Sequence, residues 1–258
     1  MSTFDTPDAG ADDSWIHGEI EIRNLHTADE MRGVVEVFQQ VWGSPTELVR
    51  LEMLMAIAHS GGYVSAALDH RDHADHGAVL GASVGILARH DDRPALHSHI
   101  TGILPGVRHT GLGRQMKLHQ QSWARDRGIE WIVWTYDPLV RRNAWFNIAV
   151  LGAEVHEYLE SFYGVMTDAI NAGDESDRLL VAWNVAVDPD HGLRDGEGVE
   201  DALLLPTPAD VVALRRTDPA AVERWRAESR AGWQAALAER RPVLGFTRDG
   251  DYVLGPPA

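Results

Sequence analysis

The chain has 258 residues, 44% of them hydrophobic and 24% charged, enough to bury a sizeable core as an ordinary globular protein. It has no cysteine, which excludes disulfides, a thiolate nucleophile and any Cys-ligated zinc or iron–sulfur centre. A net charge of −16 argues against a general nucleic-acid or anionic-membrane surface, so any anion site must be local.

Residues 1–17 are acidic, rich in Gly, Asp and Ser, and aperiodic, which reads as a loose N-terminal arm. No run of signal-peptide or spanning length occurs there, so export and membrane insertion are not expected and the cytoplasm is the default compartment. "EIEIRNL" alternates as a strand, and Thr27 with Glu30 is a capping-box signature opening a helix on "ADEMRGVVEVFQQVW". A second helix fits "PTELVRLEMLMAIAHSG", with Pro45 in the first turn and Gly61 and Gly62 as the stop. Three strands, "GYVSAALD", "AVLGASVGIL" and "ALHSHITGIL", follow with polar loops between them, suited to antiparallel neighbours. The next helix runs from about Gly111 to Arg127, with Leu112, Met116, Leu118 and Trp123 as core positions. "IEWIVWTYDP" is apolar nearly throughout, as a central strand covered on both faces should be, and Pro138 ends it. A helix on "LVRRNAWFNIAVLG" and strands on "AEVHEYLE" and "RLLVAWNV" complete a mixed, mostly antiparallel α/β unit over residues 18–187. Residues 188–258 form a C-terminal extension: a Gly/Asp/Pro-rich linker around the strand "ALLLP", a helix capped by Asp218 with Pro219 behind it, and the hairpin "VLGFTRDGDYVL".

The stretch "ILPGVRHTGLGRQMK", residues 103–117, carries the strongest chemical signal. Gly111 and Gly113 lack a Cβ, so backbone N–H groups can approach a ligand, and the helix behind them turns its positive end to the same point. Arg108 adds a formal charge, and the arrangement suits a phosphate or pyrophosphate. It is not a Walker loop, because no Gly-Lys-Ser/Thr follows, nor the dinucleotide fingerprint, which needs a third glycine and an early βαβ position.

Pro105, Arg108, Gly111 and Gly113 open a helix after three antiparallel strands, and an apolar strand and a helix "NAWFNIAVLGA" ending in Leu-Gly follow. In this the chain resembles the GNAT superfamily of acyl-CoA N-acyltransferases over about residues 19–187. The resemblance implies a GNAT-like sheet flanked by helices, with acetyl-CoA or another short-chain acyl-CoA as co-substrate and no metal. It implies that Arg108, His109, Thr110, Gly111, Leu112, Gly113 and Arg114 hold the CoA pyrophosphate, and that Asn143 lies near the CoA arm. It further implies that "HSHITGIL" and "IEWIVWTY" splay apart to admit pantetheine, and that the backbone N–H of Ile103 polarises the thioester carbonyl. The runs "TYDPLVRRNAWFN", "FYG" and "SDRLLVAW" look like a bacterial branch whose related amino-acid N-succinyltransferases make succinyl-CoA a donor to test. The implied acceptor is the amine of a small molecule; neither nucleic acid nor membrane is an expected partner, and a homodimer is a candidate assembly.

Amide formation needs the acceptor amine neutral, so a base or proton relay is useful. His97 and His99 lie two apart on a strand and hence on one face. Their offset from Arg108 is similar to the paired histidines of arylalkylamine N-acetyltransferases; the alternative is two polar strand residues satisfied by hydrogen bonds. Many GNAT members protonate the leaving sulfur with a Tyr at the position held here by Ile148. Tyr136 and Tyr163 are candidate substitutes, Tyr163 being the one carried into the site; the alternative for each, and the commoner role of a tyrosine, is packing or facing the substrate. His70, His73 and His76 in a polar loop suggest metal ligation only weakly. Arg141 and Arg142 could reach phosphates or face water; Trp131 and Trp134 are core or channel wall; Asp168, Asn171 and Asp177 bind an amine or shape a loop. Two functions follow: direct acyl transfer to an amine, or a non-catalytic CoA-binding module whose extension binds a partner or a second copy.

Overall fold

A computed structural model describes residues 14–17, 19–71, 77–108, 110–164, 174–188 and 190–257. Its main sheet has eight strands in the order β1-β2-β3-β4-β5-β6-β8-β7. These are β1 (Trp15–His17), β2 (Ile20–Asn24), β3 (Tyr63–Asp69), β4 (Ala78–His90), β5 (Arg93–Ile103), β6 (Trp131–Tyr136), β7 (Glu154–Leu159) and β8 (Arg178–Asn184). All neighbours are antiparallel except β5 and β6.

The period-two pattern of β3 explains the layers. Val64, Ala66 and Leu68 bury against α1 (Ala28–Trp42) and α2 (Leu51–His59), while Ala67 turns to the other face and meets Leu112 and Met116 of α3 (Leu112–Asp126). The capping box of α1 forms as read: Thr27 Oγ1 accepts from Glu30 N, and the Glu30 carboxylate accepts from Thr27 N at 3.0 Å. Burial would raise the Glu30 carboxyl, but hydrogen bonds from Thr27, Arg23 and His26 hold it down to about 2.

Several elements differ from the sequence reading. Trp15–His17, assigned to a loose arm, pairs with β2 as an edge strand. Helix α2 begins at Leu51 rather than Pro45, because Val49 enters the α1–α2 core from a non-helical segment and Arg50 is extended. The polar turn between the second and third of the three strands joins antiparallel neighbours as expected, and the strands extend into it to leave a two-residue hairpin: Asp91 and Asp92 take positive φ (46° and 60°), as a tight turn matched to strand twist requires. The helix expected on residues 139–152 is one α-turn, α4 (Arg141–Ala144), continued as a π-helix over Trp145–Val150. None of the described helices is long and apolar enough to cross a membrane.

Residues 203–254 build a second sheet, β9 (Leu203–Pro206), β10 (Val243–Phe246) and β11 (Asp251–Leu254), with α5 (Val211–Thr217) and α6 (Pro219–Ala238). Helix α5 lies between the linker and the Asp218-capped helix of the sequence reading, where no element is expected. The extension shares its core with the main sheet: Trp233, Phe246 and Tyr252 pack in one cluster with Trp134, Tyr136, Leu179 and Val181. A buried ionic cluster completes the joint. Asp137, just past β6, accepts two hydrogen bonds from Arg226 (2.7 and 3.0 Å) and one from Arg215, and Asp174 closes the group. Burial opposes ionisation of Asp137, but Arg226 and Arg215 hold its carboxyl below the usual range.

Candidate active site

The site follows from where one ladder stops. β5 and β6 pair in parallel at Ala95 and Trp131, Leu96 and Ile132, and His97 and Val133, and no further. β5 runs six residues beyond that rung and β6 three, so the strands diverge into a V with its apex at His97 and Val133.

The backbone along the open edge is directed by β4. Leu104 N–H bonds to Leu80 O at 2.9 Å, so by antiparallel alternation the Ile103 N–H turns away from β4, toward the space that β6 has vacated. At the mouth, one 3-10 turn (Pro105–Val107) leads to Gly111, whose φ of 87° favours glycine, and α3 starts there without a side-chain cap. A Cβ on Gly111 would meet open space, so the backbone is accessible, whereas Gly113 packs closely on Ile103 and near Phe146. Arg108 anchors its Nε on Ile103 O at 3.3 Å, and Thr110 Oγ1 donates to Val107 O at 2.8 Å, fixing the loop. Leu112 is buried beneath it, and Arg114 pairs with Asp190 at 3.1 Å. His109 lies outside the described residues. Burial lowers Arg142, and the like charge of Arg108 lowers it further. Arg141 is not available to a ligand: it is tied to Thr207 through Oγ1 and the carbonyl. Asn143 is exposed on α4.

Residues directly paired share a face and alternate along a strand, so His97 and Trp131 project from one side of the sheet and Leu96, Ser98 and Trp134 from the other, where α3 packs. On the first side, the His97 and His99 rings are 6.0 Å apart, with a bulge in β5 at His99 where Gly85 faces Ser98 and Val84 faces Ile100. Burial, then His99 and Lys117, lower His97; partial desolvation lowers His99. Both imidazoles are therefore neutral at pH 7, as proton acceptors must be. Tyr163 is exposed, with its hydroxyl 3.5 Å from Thr135 Oγ1 on that same side of β6. Tyr136 is removed from the site: it is buried, bonded to the Tyr252 hydroxyl at 3.1 Å, and raised by that burial. Ile148 is buried in the core. Asp177 is also spent, accepting from Arg230, Tyr158 and Ser161 N; Asp168 and Asn171 lie outside the described residues.

On the α3 side stands a group that sequence reasoning missed. Lys117, the chain's one lysine, is buried, with Nζ donating to Ser98 Oγ at 2.9 Å and Gln120 Oε1 at 3.0 Å and lying 4.0 Å over the Trp134 ring. Burial pushes its amine down to about 7. Its signal in the sequence was its singularity among 23 basic residues.

The metal reading also moves. His70 bonds Glu21 at 2.9 Å, and His73 and His76 lie outside the described residues. Elsewhere His90, Asp91 and His156 bring donor atoms within 4.8 Å of one another beside Trp131; His90 Nε2 is buried without a hydrogen-bond partner among the described residues and lies 3.7 Å from Asp91 Oδ2.

The architecture is a mixed sheet parted between two parallel strands, with an uncapped helix start at the mouth of the gap. It is the fold of the GNAT acetyltransferases. A ribosomal-protein-S5-alanine acetyltransferase from Vibrio fischeri superposes with a TM-score of 0.52 at 13% identity, covering 67% of this chain and 97% of that one. A putative acetyltransferase from Salmonella typhimurium, solved with acetyl-CoA, gives 0.51 at 17% identity over 66% of this chain and 95% of its own. Arabidopsis thaliana NAA60, solved with a bisubstrate analogue, gives 0.50 at 12% identity over 64% of this chain and 97% of its own. No protein-family model matches the chain, and no curated protein matches it in sequence.

Proposed function

We propose that the chain is an acyl-CoA-dependent N-acyltransferase that moves an acetyl or other short acyl group, succinyl among the candidates, to the amine of a small molecule such as an amino acid. One observation carries the reading: the β5–β6 gap opens at a histidine pair and leads along a free backbone edge to the arginine-flanked start of α3. The backbone amides from Gly111 onward, with Arg108 and Arg142, suit a pyrophosphate. The Ile103 N–H suits a carbonyl oxygen on which charge grows during transfer. His97 and His99, neutral and solvent-connected, suit removal of a proton from an incoming ammonium. The acetyl-CoA in the Salmonella protein of the same fold supports the choice of donor.

A non-catalytic acyl-CoA binder is the second reading, favoured by Ile148, which puts an inert buried side chain at one position where an acid would act. Thermal unfolding with CoA, acetyl-CoA and succinyl-CoA tests the first step, because a ligand bound only by the native state raises its stability. A rise of several degrees, larger for one acyl form, selects the donor for an amine screen. No rise at millimolar ligand ends both readings, whereas a rise without turnover on any amine leaves the binder.

A further inference from the structure

Acyl transfer leaves a thiolate that must gain a proton, and the two faces of the cleft apex differ in what they offer. The side bearing His97, His99 and Tyr163 is suited to collecting the proton that the amine loses. On the α3 side the ionisable group that touches both strands at the apex, among the described residues, is Lys117. Its amine bridges the first residue beyond the last rung on each strand, bonding Ser98 of β5 and lying over the ring of Trp134 of β6. Among the described residues no carboxylate pairs with it; Ser98 and Gln120 are uncharged, and His97 across the sheet is the titratable group that feels its charge. A buried cation without a counter-ion is costly, and two hydrogen bonds to uncharged acceptors do not offset that cost.

Building on the acyltransferase reading, we propose that Lys117 is the general acid of the transfer, giving a proton from its ammonium Nζ directly to the departing thiolate. The new bond is from the acceptor nitrogen to the carbonyl carbon; the bond that breaks is carbonyl carbon to sulfur, whose electron pair leaves on sulfur and takes the Nζ proton. The acceptor attacks as a neutral amine, the first proton of its ammonium having already passed through the histidine pair to solvent; the second, lost as the amide forms, goes to the pair, so the site ends with a neutral Lys117 and a protonated imidazole. Solvent exchange resets both. The direction is downhill: an amine brought to about 7 is a stronger acid than a thiol near ~8.5, which an ordinary lysine near ~10.4 is not. The same burial that makes the charge costly makes the group a useful acid.

Because the chain has one lysine, protein labelled with [ε-13C]lysine gives one side-chain signal, and its titration reads Lys117 with no assumption about activity. The expected midpoint is near 7; a midpoint near 10 overturns the proposal. Turnover across pH then reads the role. For the wild type kcat falls as pH rises through the same midpoint. K117M, which removes charge and proton without leaving a cavity, loses roughly a hundredfold or more in kcat together with that basic limb, while acyl-CoA affinity stays. K117R keeps the charge but cannot release its proton, and is expected to be as slow as K117M. A K117R enzyme at wild-type rate, or a K117M enzyme with an unchanged pH profile, would show that the amine only fills space or supplies charge. Failure of the parent reading looks different: no acyl-CoA binding and no turnover in the wild type, whatever the lysine titration gives.

Discussion

Replacing Lys117 by methionine tests the electrostatics of the cleft apex through stability alone. Bringing the amine from 10.5 to about 7 means that its charged form costs the folded state about 5 kcal/mol, at about 1.4 kcal/mol per pH unit. Methionine removes that cost but leaves Ser98 Oγ and Gln120 Oε1 without their donor, at about 1 kcal/mol each. The net expectation at pH 6 is a variant more stable than wild type by about 2–3 kcal/mol. The sign changes with pH. Between about 7 and 10.5 the unfolded chain holds the proton and the folded chain does not, so wild-type stability climbs with pH by up to about 1.4 kcal/mol per unit, and the variant lacks this climb. Urea unfolding of both proteins from pH 6 to 9.5 should show the gap closing near pH 9 and then reversing. A gap independent of pH, or a wild type already more stable at pH 6, would refute a buried, unpaired lysine at this position.

Three further outcomes follow from the same structure. R108A should weaken acyl-CoA binding by about ten- to a hundredfold, the worth of a charge-assisted hydrogen bond, with little change in melting temperature; calorimetric titration measures it. The double variant H97A/H99A should keep acyl-CoA affinity and lose turnover. Because both imidazoles are shifted down, the wild-type acid limb should fall below pH 6.5, and a limb above that value would contradict neutral histidines at pH 7. D137N should cost about 3–5 kcal/mol in urea unfolding at neutral pH, since it leaves Asp174 to serve the two buried guanidiniums of Arg226 and Arg215 that Asp137 now shares with it. With its carboxyl held below 3.8 when folded, Asp137 contributes stability above the unfolded value, and that contribution drains as pH falls through the folded one.

The parts of the fold that local chemistry dictates were legible in the sequence. The Thr27–Glu30 box, the Gly111 start of α3, the apolar β6 and the Asp218–Pro219 start of α6 each follow from neighbours within four residues, and each forms. His97 and His99 come together as strand period two leads one to expect, their rings 6.0 Å apart although β5 bulges at His99. Lys117 was not legible as a site because Lys117, His119, Gln120 and Gln121 on α3 are residue types that a helix ordinarily turns to water. All four are buried, since the sheet they cover presents polar partners: Ser98, the Tyr63 hydroxyl, Ser83 and the Val185 carbonyl. The Asp137 cluster joins residues 78 and 89 positions apart, a pairing that spacing cannot reveal. Helix α5 is seven residues long, too short for periodicity to mark.

That cluster also bears on why the gap exists. Parting two strands leaves backbone donors and acceptors on β5 and β6 without ladder partners, and the hydrophobic faces above and below would favour zipping them shut. β6 is held away at its far end by the extension. Asp137 is gripped by Arg226 of α6 and Arg215 of α5, the Tyr136 hydroxyl meets the Tyr252 hydroxyl of β11, and the Tyr252 hydroxyl bonds the Pro138 carbonyl at 2.9 Å. Three elements of the extension therefore fasten the last residue of the diverging strand and the two that follow it. On this account residues 203–254 belong to the cleft's architecture, because the opening that admits a ligand between β5 and β6 is maintained by contacts made some 80 to 120 residues further along the chain.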